Sequence, residues 1–187
     1  MKKGMVVSFM VGLGLISLVS CGNKKISNDR ISIDQYVGLE VNAPLNEDDA
    51  QIVSEYEKDI WDKLLANCTV KEYPEDELEN LIHELNVQYS YVVREDGSTS
   101  SELIQKIHGM TAEELAKEQL KKKFAVELIG EKEGLILTDS EYETELAKRA
   151  EDNGIGSAEY ENMFGYEKLH ERFQEERVMD FLKEHLR

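Results

Sequence analysis

The sequence is poor in the residues that staple, kink or catalyse. Of 187 residues only Cys21 and Cys68 are cysteine and only Pro44 and Pro74 are proline. Cys21 has another role, given below, so Cys68 stands alone, no disulfide framework is available, and stability must come from packing. Few prolines, 33% charged and 7% aromatic residues fit long helices with a large solvated surface. Positive charge is also scarce: 22 Lys and Arg face 39 Asp and Glu, a formal net charge of −17. Phosphate backbones need clustered cations, so nucleic acid is excluded as a partner. An acidic surface keeps a protein soluble and favours encounters with basic, partly unfolded chains.

Motifs for bond chemistry are missing as well. There is no phosphate-cradling glycine loop, no calcium-loop pattern and no nucleophile elbow. His170-Glu171 starts like a zinc helix, but Gln174 stands where the second histidine would be. His83, His108 and His185 form no ligand cluster with it, and His108 beside Gly109 suits a helix C-terminus. The acid groups Glu47-Asp48-Asp49 and Glu75-Asp76-Glu77 read as helix starts rather than as metal ligands or paired catalytic carboxylates. Cys68 reads as a small buried hydrophobe. The sequence therefore predicts no catalytic residue, no metal and no cofactor.

What is present begins with an export pattern. Lys2 and Lys3 precede an uncharged run from Met5 to Val19, too short for the roughly 20 residues that span a bilayer. The run ends in Leu18-Val19-Ser20-Cys21, which resembles the lipobox of bacterial lipoproteins. Residues 1–20 are expected to be a signal peptide, cut before Cys21, whose thiol would carry the lipid; an ordinary secretory signal with an incidental cysteine is the alternative. Lys2 and Lys3 are the only charges of that leader, so its loss takes the formal net charge from −17 to −19. An acidic body would be repelled by anionic headgroups and stand off on its lipid.

Residues 21–45 read as a tether, Gly22 to Asp29, followed by a short extended segment, Ile31 to Val41, that alternates as a strand does. Beyond it the pattern predicts helices only, over residues 46–187, with no internal repeat. A first helix is expected from Asn46 to Ala66, with Val53, Tyr56, Ile60 and Leu64 as its stripe. A second is expected from Pro74 through Val92, striped by Leu78, Ile82, Leu85, Tyr89 and Val92. A turn at Asp96-Gly97-Ser98 leads to a short helix over Ser101 to Ile107. Thr111 to Glu114 and Thr138 to Glu141 are capping boxes for two longer helices, ending near Lys132 and Asp152. A short piece, Ser157 to Phe164, and a terminal helix striped by Leu169, Phe173, Val178, Phe181 and Leu182 complete the chain.

Apolar residues crowd two places where helices stop: Tyr89, Tyr91, Val92 and Val93, and Met163, Phe164 and Tyr166 around Gly165. They are either core or an exposed binding surface. Taken with WDKLLANCTVKEYPEDELE, MTAEELAKEQLKKKFAVELIGEKEGLILTDSEYE and VMDFLKEHL, the chain from Asp59 to Leu186 resembles the C-terminal chaperone region of bacterial trigger factor. DQYVGLEV is similar to the strand that precedes the isomerase insertion in that family. The resemblance implies an all-α, elongated body with projecting arms that cradles unfolded or secreted polypeptides. Too few residues separate Val41 from the first helix to hold an isomerase domain, and no ribosome-docking Gly-Phe-Arg loop is present. The expected protein is a lipid-anchored holdase at the extracytoplasmic face of the cell membrane, neither an enzyme nor a ribosome binder. The seven apolar residues named above are its candidate client contacts. A scaffold lipoprotein for one folded partner and an isomerase by descent are the alternatives.

Overall fold

The computed structural model describes residues 24–44, 46, 49–92 and 97–187. Seven helices form most of this part: α1 (Ala50–Ala66), α2 (Glu75–Ser90), α3 (Ser100–His108), α4 (Ala112–Glu133), α5 (Asp139–Asp152), α6 (Ser157–Phe164) and α7 (Tyr166–Glu184). The mainly helical architecture expected from the sequence is therefore present. Three short strands, β1 (Ile26–Ser27), β2 (Ile31–Ile33) and β3 (Cys68–Val70), add an antiparallel sheet in the order β1-β2-β3.

The sheet corrects the expectation in three ways. β3 reads as no strand in the sequence because three residues after a helix carry no period; it forms because Ile31 and Ile33 of β2 lie opposite Val70 and Cys68. The extended segment is strand only to Ile33, and Gly38 turns the chain at φ +69°. Tyr36, Leu39 and Val41 are buried nonetheless, and the loop is tied to the chain end by Gly38 N–H to His185 O (2.7 Å) and Arg187 N–H to Leu39 O (3.1 Å). Finally, part of the expected tether belongs to the body, because Ile26 lies in β1 and is buried.

Local chemistry sets the helix ends. Thr99, Thr111 and Thr138 each accept from the N–H three residues on, while Glu102, Glu114 and Glu141 accept from the threonine N–H in return, closing three capping boxes. α1 starts later than expected, with Asp49 accepting from the N–H groups of Gln51 and Ile52; Glu47 and Asp48 lie outside the described residues. α2 stops at Ser90 rather than running through Val92.

Three apolar clusters follow from these elements. The central one packs the sheet against α1, the C-terminal half of α4 and the end of α7, with Ile31, Ile33, Ile60, Leu64, Phe124, Leu128 and Leu182 inaccessible. A second, Leu85, Ile104, Leu115 and Ala116, joins α2, α3 and the start of α4 into one arm. A third, built on Tyr142, Leu146, Tyr160, Leu169 and Phe173, joins α5, α6 and the start of α7 into another. Gln174, the only buried polar side chain among the described residues, fixes the second arm to the body. Its carbonyl accepts from Leu137 N–H (2.8 Å) and its amide donates to Leu135 O (3.1 Å), satisfying the backbone of the link between α4 and α5.

Candidate functional site

The two arms leave a cleft of about 860 Å³ between α2 and α7, with α4 as its floor. Leu81, Leu120, Val126 and Ile136 give it apolar walls, while Glu77, Glu84, Glu167 and Glu171 give it an acidic rim. The α4 to α7 side is held by ion pairs, Lys123 to Glu171 at 3.0 Å and Lys122 to Glu175, and the Lys122 ammonium lies 4.5 Å from the centre of the Trp61 ring. An amphipathic trough of this kind suits an extended apolar segment with basic flanks better than a small molecule needing convergent polar groups.

At the ends of both arms, large apolar side chains face solvent. Tyr91 and Val92 are each 66% exposed, and Ile107 on α3 is 57% exposed. The cause is the early end of α2: Tyr91 is its C-cap, and Val92 N–H bonds Tyr89 O at 3.1 Å, so neither residue continues the stripe that buries Leu85. The sequence placed Val92 on that stripe, and the structure removes it. Tyr89 differs from them. It is half-buried, its ring meets His108 edge-on at 5.7 Å, and its hydroxyl bonds His108 Nε2. Val93 lies outside the described residues.

On the other arm Met163 is 64%, Phe164 43% and Tyr166 49% exposed. Gly165, at φ +86°, separates α6 from α7 and points these residues away from a common stripe. Their bodies still rest on the arm core: Phe164 lies 4.8 Å from the Tyr160 ring and Tyr166 4.8 Å from Tyr142. The structure thus places three expected contacts, Met163, Phe164 and Tyr166, at one tip, and Tyr91 and Val92 at the other. Sequence reasoning missed Ile107 and Ile136. For Ile107 the available indication was one apolar residue more than a nine-residue helix needs once Ile104 is buried.

Cys68 and Tyr142 are titratable groups inside packed apolar clusters. Burial pushes the Cys68 thiol up to about 11, with only partial opposition from Lys121, and its Sγ lies 3.2 Å from Leu64 O. Burial and a hydrogen bond to Glu161 (2.8 Å) raise the Tyr142 hydroxyl. His170 is half-buried between Tyr142 and Tyr166, and Gln174 is spent on the backbone of residues 135 and 137. Among the described residues no three His, Cys, Asp or Glu side chains gather as metal ligands, and no helix is long and apolar enough to cross a membrane.

No curated protein matches the sequence. A family model does: that of the bacterial trigger factor C-terminus, over residues 44–184, which includes all seven helices of the described residues and both arms. With a match over most of its length, the chain belongs to the trigger factor C-terminal family.

Proposed function

We propose that the protein is a holdase, a chaperone that binds unfolded or secreted polypeptides between its arms and performs no bond chemistry. In this reading residues 1–20 are a signal peptide, Cys21 carries the lipid, and the chaperone domain of residues 46–187, with β1, β2 and the loop to Val41 packed into its core, stands at the extracytoplasmic face of the membrane. No isomerase or ribosome-docking function accompanies it.

The observation that supports the reading best is the exposure of Tyr91, Val92 and Ile107 on one arm and Met163, Phe164 and Tyr166 on the other, together with an amphipathic cleft between the arms. Separate apolar contacts, each weak, become strong together when one flexible chain reaches several of them. Acidic arms keep a loaded complex soluble.

Aggregation of several unrelated proteins diluted from denaturant tests this. The wild type should suppress aggregation of all of them, and Tyr91→Ser with Val92→Ser should weaken suppression at unchanged fold. Protection of one partner alone would replace the holdase by a scaffold. Cells fed labelled palmitate should label the wild type and leave Cys21→Ala unlabelled and uncut; label retained in that variant would remove the anchor from the proposal.

A further inference from the structure

The two long helices that carry the arms converge on one point. α4 runs 22 residues, about 33 Å, from the first arm to Glu133, and α7 runs 19 residues, about 28 Å, from the tip of the second arm to Glu184. At the convergence stands Tyr36, 1% exposed, its hydroxyl donating to Glu133 and its ring 6.4 Å from Phe181, which stacks on His185 at 4.2 Å. The same carboxylate is paired with Lys24. Burial acts to raise the Glu133 carboxyl, yet the hydrogen bonds from Lys24 and Tyr36 outweigh it and hold it below the usual range. The chain then enters β1 at Ile26, in the central core. Residues 24–27 are consequently part of the folded body, clasped at the end opposite the arm tips.

We infer that the clasp of Lys24, Tyr36 and Glu133 orients the protein on the membrane, holding the convergent ends of α4 and α7 next to the bilayer and directing both arm tips away from it. The inference rests on lipid attachment at Cys21. Three peptide steps separate Cys21 from Lys24 and reach about 10 Å when fully extended, too little for the body to turn over freely. Charge selects among the tilts that remain. At the clasped end Lys24, Lys25, Lys132 and Arg187 offset Asp34, Glu131, Glu133 and Glu184. By contrast, α2 carries Glu75, Asp76, Glu77, Glu79 and Glu84 and no lysine or arginine. Anionic headgroups therefore repel the arm more than the clasp. The partner that this placement favours is a chain arriving from the extracytoplasmic side, met by the tips before the body.

The test uses the lipidated protein purified from membranes, in vesicles of phosphatidylcholine and phosphatidylglycerol that carry a headgroup quencher. Cys68→Ser is combined with Lys132→Cys or with Ile107→Cys, and the new thiol is labelled with a fluorophore. The expected result is strong quenching at 132 and little at 107, a contrast of several-fold. A flexible Gly-Ser insert of roughly twelve residues after Gly22, reaching about 20 Å, should erase much of that contrast without touching the fold. Equal quenching at both positions on vesicle-bound protein overturns the orientation. Protein that stays free of the vesicles overturns the anchor itself, and the orientation with it.

Discussion

The two arms reach outward from the same body but are built differently. The first rests on a small aliphatic cluster, Leu85, Ile104, Leu115 and Ala116. The second rests on aromatic rings in mutual contact, with Tyr142 touching Phe173 at 5.7 Å as well as Tyr166 and His170. It is also laced by Arg149 to Glu145 (2.6 Å) and Glu176 (2.5 Å), and by Arg177 to Glu141 (2.8 Å). Exposure alone therefore does not define a free binding surface. Among the described residues Tyr91 makes no ring contact with its arm, whereas Phe164 and Tyr166 are exposed on one side and structural on the other. Stripping the first tip should therefore cost less stability than stripping the second.

The largest effect expected from this difference is at the centre of the second arm. Tyr142→Ala removes a ring that is 2% exposed and touches three others, so unfolding in urea should show a loss of about 3–5 kcal/mol, the range for a large buried aromatic. A loss below about 1 kcal/mol would mean that the ring cluster does not support the arm.

A smaller contrast separates the two tips. Phe164→Ser with Tyr166→Ser gives up three ring pairs, each contributing about 0.5–1.5 kcal/mol beyond area, so the thermal midpoint should fall by several degrees. Tyr91→Ser with Val92→Ser should leave stability within about 0.5 kcal/mol, as surface changes usually do. Equal losses at both tips would end the distinction between a bare surface and a structural one.

How much of this could be read from residues follows from the range of each interaction. Capping boxes are local, so Thr111 with Glu114 and Thr138 with Glu141 located two helix starts to the residue. The stripes of α1 and α7 were equally legible, since Ile60 and Leu64, or Leu169 and Phe173, recur at helical spacing. β3 was not, because Cys68, Thr69 and Val70 become a strand only when β2 lies beside them. The end of α2 was illegible for a related reason: the apolar period runs on through Val92, and only the fold shows that the arm core ends at Leu85 and Tyr89. The clasp at Tyr36 is the extreme case, joining residues separated by about a hundred positions in sequence.

The smallest effect concerns the caps that start the two arms' helices. Glu114 at the start of α4 and Glu141 at the start of α5 perform the same task, each accepting from the hydroxyl and the N–H of its threonine. Glu114 is lowered by these bonds, led by the Thr111 N–H. Glu141 is lowered further, to about 2, by the Thr138 hydroxyl, the Thr138 N–H and then Arg177 at 2.8 Å on α7. A carboxyl held low in the folded state stabilises it above the unfolded carboxylate value, and that contribution is lost as pH falls toward the folded value. For Glu141 the window runs from 4.5 down to about 2. Glu141→Gln should therefore flatten the fall in thermal midpoint across this window while leaving the midpoint near neutral pH only slightly reduced. Carboxyl chemical shifts, followed through acid titration, should show Glu141 protonating after Glu114. If Glu114 holds its charge to the lower pH, then Arg177 adds nothing to the cap, and the second arm is not the more firmly tied of the two.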